Sequence, residues 1–496
     1  MNKLHPIIAA ARAVFGQAES DFGKSGGIPA WSHHLRKHGD TATGPCPGRV
    51  SRNEVEQRPP VAATLAAPPA RMNRRAFFQN LSASLAAGAW NESTLQGTLA
   101  RRLPPRLHRF CAPLAVSLLH AHPVRYAPPA RLLAKTLQSD PKAQSLYRRC
   151  LKRGLWPAPD LAGPRFSPLP AFVELDLPEL TDAQNLADFL FLPIDRLDYL
   201  ADRHNRHEEH GETAINHYHY AIQKKRSGGS RVLEAPKQQL KAIQRHILRG
   251  ILDKIPAPPD AFGFVKGRDC LRAAARHAGE AVVISADLKD FFPSIGAARI
   301  FGFFRCLGYP HLVASYLTGL TTSATPPRIL HRLAATERDL LASPHLPQGA
   351  PTSPALANQA AFSLDRRLAG LARSLGANYS RYADDLTFSG DPAITGPLLK
   401  ALPEIAKEEG FALNRAKTRV MPHTSRQHVT GLTVNRHINL NRRTFDHLKA
   451  VIHACQKPGD QRLNDPQFRA QLLGKIAWAE RVNPTRGQKL RRLLER

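Results

Sequence analysis

Two adjacent carboxylates interrupt an apolar stretch that otherwise alternates like a β-strand. The stretch runs from Tyr379 to Gly390, and Asp384 and Asp385 lie in its middle. Two unit charges about 4 Å apart repel by about 4 kcal/mol at an effective dielectric constant of about 20, so burying this pair is costly. A hairpin that presents both groups to a divalent cation turns repulsion into coordination, because Mg²⁺ prefers hard oxygen ligands. The pattern predicts a metal-binding hairpin.

A third carboxylate follows a second predicted strand. Residues 282–286 read as a buried strand, and Asp287 lies at its end, before an aromatic pair and a proline. Taken alone, Asp287 fits a helix N-cap equally well. Together with Asp384 and Asp385 it completes the ligands for two Mg²⁺ ions, about 4 Å apart, which can activate an attacking hydroxyl and stabilise a departing phosphate.

The composition favours a polyanionic partner. Lys and Arg number 70 against 40 Asp and Glu among 496 residues, which gives a formal net charge of +30. The six cysteines are far apart and form no Cys-x-x-Cys pair, so neither a zinc ribbon nor a disulfide framework is expected, and a reducing cytoplasm fits. No apolar run of about 18 residues occurs, so no membrane span is expected.

The first third of the chain differs from the rest in its composition and in its spacing of apolar residues. Residues 1–71 are rich in Pro, Gly, Ala and Arg and are expected to form a disordered basic tail. Residues 72–179 are expected to form a helical extension, with helices near 130–137 and 143–153. The segment after Met72, which is an alternative start, superficially resembles a twin-arginine export signal, and we favour a short helix there.

The sequence predicts more regular secondary structure after about residue 180. We expect a helix capped by Asp182, a hairpin turn at Gly228 and Gly229, a helix at 240–252 and a glycine-punctuated basic loop at 262–268. Several histidines precede the hairpin, and their irregular spacing favours a solvated loop over a zinc site. These histidines are His204, His207, His210, His217 and His219.

Six blocks in a fixed order resemble bacterial retron-type reverse transcriptases, over roughly residues 180–496. The blocks are Arg231–Pro236, Gly263–Arg268, Asp287–Phe292, Leu346–Pro354, Tyr382–Asp385 and Gly410–Lys417. The resemblance implies an α+β right-hand polymerase fold with an antiparallel-sheet palm and a small helical thumb. It places the fingers at 180–280, the palm with the catalytic site at 281–435 and the thumb at 436–496.

The resemblance also implies the roles of the acidic and basic residues. Asp287, Asp384 and the backbone of Leu288 would hold two Mg²⁺ ions, and Asp385 would support them from the same hairpin. Lys417 resembles the lysine that protonates the leaving pyrophosphate, although an isolated lysine is usually a solvated surface residue.

Further residues match the family's nucleotide-binding positions. Phe292 takes the place of the sugar gate that rejects a ribose 2′-OH, with a core phenylalanine as the alternative and Phe291 as the better candidate for that role. Gln348 and Gly349 would line the incoming nucleotide. Arg231 and Lys225 would grip its triphosphate, and Lys224 or Arg226 could replace Lys225.

The chain also matches features of retron enzymes in particular. Val429, Thr430 and Gly431 resemble their RNA-recognition block, although a strand with a glycine turn explains the same residues. The retron motif Asn-Ala-x-x-His is kept only at His277, because Ala273 replaces the asparagine.

Membership in this family would imply a structured non-coding RNA as template and primer, and deoxynucleoside triphosphates (dNTPs) as substrates. It would also imply priming from an RNA 2′-OH, a branched RNA–DNA hybrid product and a role in phage defence beside an effector protein. The alternatives are a group II intron-like reverse transcriptase and a non-catalytic RNA-binding scaffold or antitoxin.

Overall fold

The computed structural model describes residues 72–495 apart from 89, 124–126, 129, 159–163, 204–215 and 226–227. Its strands are β1 Tyr218–Lys224, β2 Ser230–Pro236, β3 Val282–Asp287, β4 Asn378–Tyr382, β5 Asp385–Gly390, β6 Arg419–Pro422, β7 His428–Val429 and β8 Leu432–Thr433. Its α-helices, in chain order from α1 to α19, are Arg74–Ala86, Glu92–Arg102, Cys111–Ala121, Ala130–Ser139, Pro141–Arg153, Ala183–Phe189, Ile194–Ala201, Gln238–Gly250, Cys270–Ala275, Ala297–Cys306, His311–Thr321, Pro327–Leu330, Ala335–Ala342, Ser353–Ala360, Phe362–Ser374, Thr395–Glu408, Arg442–Cys455, Pro466–Val482 and Pro484–Leu494.

Helices α1 to α5 enclose a hydrophobic core of their own. Phe77 contacts Phe78 edge to face at 5.2 Å between ring centroids, and Tyr147 and Trp156 complete the aromatic cluster. Local sequence sets the helix ends: the Asp140 side chain accepts a hydrogen bond from the backbone of Ala143 at the start of α5. The predicted helical extension is therefore confirmed, whereas the predicted tail at 1–71 lies outside the described residues.

The central sheet is antiparallel, and its strand order is β4-β5-β3-β6. Both faces are covered: β4 and β5 are buried along most of their length, and Val283 and Ile284 on successive positions of β3 are both fully buried. Helices α10, α11, α14, α15 and α16 contribute to the main core on one side of this sheet. The predicted α+β class is confirmed.

A second hairpin lies beside the central sheet. Strands β1 and β2 pair through a turn at Gly228 and Gly229, both with positive φ, as the sequence predicts. The β2 strand is joined to a loop before α14, because the backbone N–H of Glu234 donates to the carbonyl of Gln348 at 2.9 Å. The Glu234 carboxylate, buried in the same place, contacts His345 and Thr325. These contacts fix the hairpin against the loop.

The C-terminal helices α17 to α19 form a third core with the β7–β8 hairpin. Val429 and Leu432 from this hairpin pack with Leu448 of α17 and Ile476 of α18. The core also includes Val283 of β3, so it is continuous with the central sheet. The predicted helical C-terminal segment is confirmed. No helix among the described residues has the length and apolarity needed to cross a bilayer.

Candidate active site

Strand pairing brings the three carboxylates together. Asp287, the last residue of β3, lies directly opposite Asp385, the first residue of β5. Residues opposite each other in an antiparallel pair project to the same face with their Cβ atoms roughly 4.5–5.5 Å apart. The backbone N–H of Leu288 donates to the carbonyl of Asp384 at 2.9 Å, which fixes the turn against the end of β3. The predicted meeting of Asp287 with the hairpin is confirmed.

The turn that carries the carboxylates is held in an unusual backbone conformation. Ala383 has a φ of +58°, in the left-handed region that non-glycine residues seldom adopt. The buried guanidinium of Arg381 donates to the Ala383 carbonyl at 3.0 Å. On the other side, a Cβ atom on Gly263 would lie 2.5 Å from the backbone nitrogen of Ala383, so only glycine fits there.

Burial and mutual repulsion shift the acidity of the hairpin carboxylates. Loss of surrounding water, then the charges of Asp384 and Asp287, raise the pKa of Asp385 to about 6. The pKa of Asp384 is also raised, mainly by burial and then by Asp287, while Lys417 and Arg231 oppose the shift. Uncompensated negative charge is therefore concentrated at this point of the protein.

Lys417 compensates part of that charge. Its Nζ donates to both carboxylate oxygens of Asp287, at 2.9 and 3.0 Å. Its position follows from the backbone, because Asn414 N–H donates to the Asp287 carbonyl at 2.8 Å and the short 3₁₀ helix Arg415–Lys417 follows at once. Lys417 therefore lies where a proton could be delivered beside Asp287.

The two candidate triphosphate ligands lie on the β1–β2 hairpin. Arg231 is exposed on β2, and its charge acts on Asp384, which places it at the same site. Lys225 forms an ion pair with Asp290 at 2.9 Å. Lys224 is exposed, and Arg226 lies outside the described residues.

The two phenylalanines after Asp287 separate into different environments. Phe291 is only 4% exposed and packs against Phe411, so its predicted core position is confirmed. Phe292 is half-buried, and its ring centroid lies 5.5 Å from that of Phe291 and 6.1 Å from that of Phe264. Phe292 is therefore the ring of the pair that remains accessible.

Gln348 and Gly349 lie on the loop that is bonded to β2. Gly349 has a φ of +133°, and a Cβ atom there would lie 3.1 Å from the Glu234 carbonyl. Gly349 is exposed and Gln348 is half-buried, so both are accessible beside the hairpin that carries Arg231.

Thr430 and Gly431 form the tight turn between β7 and β8, and Val429 is the last residue of β7. Thr430 and Gly431 both have positive φ, at +48° and +83°, as a two-residue hairpin turn requires. Val429 is buried, and the Thr430 hydroxyl donates to the Cys270 carbonyl at 3.0 Å. The expected strand with a glycine turn is confirmed, and these residues lie against α9.

His277 joins the two strands of the carboxylate hairpin. Its ring is buried, with Nδ1 2.8 Å from the Ser389 hydroxyl and Nε2 2.7 Å from the Ser380 hydroxyl. Burial, and then the charge of Arg276, lower the pKa of His277 to about 3, so the ring is neutral. Of the other histidines, His204, His207 and His210 lie outside the described residues, and His217 contacts the Tyr199 carbonyl.

The residues present fit a divalent cation. Within the described part of the chain, no three His, Cys, Asp or Glu side chains are already grouped as a metal cage. The donor set nonetheless matches in its chemistry, because Asp287 lies opposite Asp385 and Asp384 adjoins it in the turn. Burial, and then mutual repulsion that a cation would relieve, raise the pKa values of Asp384 and Asp385. Lys417 supplies the positive charge at Asp287.

Sequence reasoning missed the residues that support this site. Arg381 and Asp365 form a fully buried ion pair, at 2.6 Å between Nη2 and Oδ2, and Asp290 holds Lys225. One signal was available in the sequence: Arg381 is a charged residue within a predicted strand, between Tyr379 and Tyr382. Its partner on α15 could not be identified without the fold.

Comparisons with known proteins agree with this geometry. Residues 222–434 match the family model described as reverse transcriptase (RNA-dependent DNA polymerase). The chain is 44% identical to the retron Mx65 reverse transcriptase of Myxococcus xanthus over 56% of this chain and 64% of that protein. It is 36% identical to the retron Mx162 reverse transcriptase of the same organism, over 63% and 66%.

A third relative is matched over most of its length. The retron Ec73 reverse transcriptase of Escherichia coli is 30% identical over 54% of this chain and 84% of that protein. The chain spans just under two thirds of the length of the two Myxococcus relatives. The chain belongs to the retron-type reverse transcriptases, and the expected right-hand fold with an antiparallel-sheet palm is confirmed.

Proposed function

We propose that this chain is an RNA-directed DNA polymerase that uses dNTPs and divalent cations, most simply two Mg²⁺ ions. The observation that carries the proposal is the pairing of Asp287 with Asp385 across β3 and β5, with Asp384 in the adjoining turn. Bound cations would activate the primer hydroxyl and stabilise the departing pyrophosphate. Asp287 and Asp384 would hold them, with Asp385 in support.

The protein's own groups would perform the remaining tasks. Arg231 and Lys225 would bind the triphosphate, since charge-assisted hydrogen bonds to phosphate are strong. Gln348 and Gly349 would line the incoming nucleotide, and the Phe292 ring would exclude a ribose 2′-OH. Lys417, already at the Asp287 carboxylate, would donate a proton to the pyrophosphate.

The retron subtype suggests a more specific function. We infer that the template and primer is one structured non-coding RNA, that synthesis starts from a 2′-OH within it, and that the RNA–DNA hybrid remains branched. The Val429–Gly431 turn would recognise that RNA, in the reducing cytoplasm. A role in phage defence with an effector protein follows by family analogy alone.

A primer-extension assay on the purified chain tests the activity. Asp384→Asn and Asp287→Asn should abolish incorporation of dNTPs on an RNA template. Asp391→Asn is a matched control, because Asp391 lies just beyond the same hairpin and only caps a short 3₁₀ helix. RNA binding without incorporation by the wild-type chain would favour the non-catalytic scaffold.

Sequencing the DNA ends made in cells tests the retron subtype. Ends linked to an internal RNA 2′-OH are expected, from one RNA species. If the chain extends primers in vitro but the DNA made in cells has only free 5′ ends, the polymerase proposal stands and the proposal of priming from an RNA 2′-OH is overturned.

A further inference from the structure

We propose that Phe264 forms a base-stacking site for the 3′-terminal nucleobase of the primer. The inference rests on the proposed polymerase function and adds to it a contact that does not depend on the identity of the base. It starts from one observation: Phe264 is a large apolar residue with 54% of its surface exposed beside the candidate active site.

The backbone around Phe264 is rigid. Phe262 N–H donates to the Arg381 carbonyl and Arg381 N–H donates to the Asp260 carbonyl, both at 2.8 Å, so the loop runs along β4. The guanidinium of Arg268 donates to the carbonyls of Pro258, Pro259 and Ala261. The exposure of Phe264 is therefore built into a fixed loop.

Phe264 also adopts a strained conformation. Its φ is +61°, in the left-handed region, which is an outlier for a bulky residue. Such strain persists only where the surroundings over-determine it, and it clusters at functional sites. Here the preceding residue Gly263 is held by the side-chain amide of Asn358, which donates to its carbonyl at 3.0 Å. The fixed backbone thus holds the Phe264 ring in an exposed position.

The position of the ring identifies its ligand. Gly263 packs against Ala383, the residue before Asp384, and the Phe264 ring lies 6.1 Å from the ring of Phe292. Phe292 faces the sugar of the incoming nucleotide in the proposed mechanism. The 3′ end of the primer must reach Asp287 and Asp384 beside it, so its terminal base is the flat apolar group nearest to Phe264. An exposed aromatic next to the basic residue Lys266 is the usual composition of a stacking platform.

Binding of a fluorescently labelled RNA-template–DNA-primer duplex, measured without dNTPs, tests the site. Phe264→Leu, which keeps an apolar side chain but removes the π face, should weaken binding about tenfold, and Phe264→Trp should restore it. Phe191→Leu is a matched control, because Phe191 is also an exposed phenylalanine with positive φ, at +55°, but contacts His246. It should bind like the wild type.

An abasic nucleotide at the primer's 3′ end separates stacking from a structural role. The wild-type chain should bind this duplex about tenfold more weakly than the intact one, and Phe264→Leu should cause no further loss. An equal penalty for Phe264→Leu on both duplexes, or a loss only when the abasic nucleotide is in the template strand, would overturn the proposal. If the wild-type chain extends no primer at all, the proposed function fails instead, whatever the variants bind.

Discussion

Arg381 and Asp365 form a bidentate ion pair beneath the turn that carries the candidate catalytic carboxylates. Nε and Nη2 of Arg381 donate to the two oxygens of Asp365 at 2.7 and 2.6 Å, and both side chains are buried. The remaining nitrogen, Nη1, donates to the carbonyl of Ala383 and to the side chain of Asn358. A charge pair in the core thus positions Asp384 without contacting any substrate.

Removing one partner of this pair should destabilise the protein strongly. Asp365→Asn leaves the Arg381 charge buried without its counter-ion, and the free energy of unfolding should fall by about 3–5 kcal/mol, as urea denaturation would measure. Arg442→Ala is the control, because its pair with Asp446 is exposed and the loss should stay below about 0.5 kcal/mol. A loss for Asp365→Asn no larger than the control's would contradict the structural role of the pair.

His277 should make stability depend on acid pH. Its pKa is about 3 in the folded protein against an ordinary value of 6.5, so between these values the unfolded chain binds a proton that the folded protein does not. Stability is therefore fully present above about pH 7 and falls as pH is lowered, by up to about 1.4 kcal/mol per pH unit. Unfolding free energies measured from pH 7 to pH 4 should show this slope.

His277→Gln isolates that contribution. The variant should lose the His277 part of the slope, whereas His219→Gln, which changes an exposed histidine on β1, should keep the wild-type slope. Identical slopes for the wild type and His277→Gln would mean that the ring is protonated inside the folded protein.

Lys417 should affect the chemical step more than substrate binding. Lys417→Met removes the proposed proton donor, and kcat should fall about 100-fold while KM for dNTPs changes little. Lys417→Arg keeps a positive charge beside Asp287 but donates a proton poorly, so it should share most of the loss. Single-nucleotide incorporation under rapid mixing measures both constants. A wild-type rate for Lys417→Arg would rule out proton donation and leave only a charge role.

Phe292 should control the choice of sugar. Phe292→Val shortens the half-buried side chain, and incorporation of ribonucleotides relative to deoxynucleotides should rise by about tenfold or more. Phe292→Tyr keeps a ring and should keep the discrimination. The ratio of kcat/KM for the two nucleotides is the measurement, and an unchanged ratio in Phe292→Val would assign the ring to packing alone.

Local signals in the sequence were enough to place most elements near the site. The alternating residues around Asp384 and the Gly228–Gly229 pair each predict a hairpin that forms through nearby hydrogen bonds, and the apolar run before Asp287 predicts a buried strand. The meeting of Asp287 with the hairpin followed from chemistry, since isolated carboxylates at strand ends are costly to bury.

The supporting contacts depend on long-range pairing and could not be predicted in this way. The register that sets Asp287 opposite Asp385 depends on β3 and β5, which are about 100 residues apart. The same holds for His277, which the sequence identifies only as the retained histidine of a motif and whose ring joins Ser380 to Ser389. The roles assigned to Arg231, Lys225, Gln348 and Gly349 stay predictions.

Val283 belongs to two parts of the molecule at once. It lies on β3, four positions before Asp287, and it packs in the core formed by the C-terminal helices. Close-packed interiors transmit strain, so a shift of these helices would also displace the strand that ends at the candidate metal ligand Asp287. In the proposed polymerase, Val283 and its strand neighbour Met421 would therefore couple movements of the C-terminal helices to the position of Asp287.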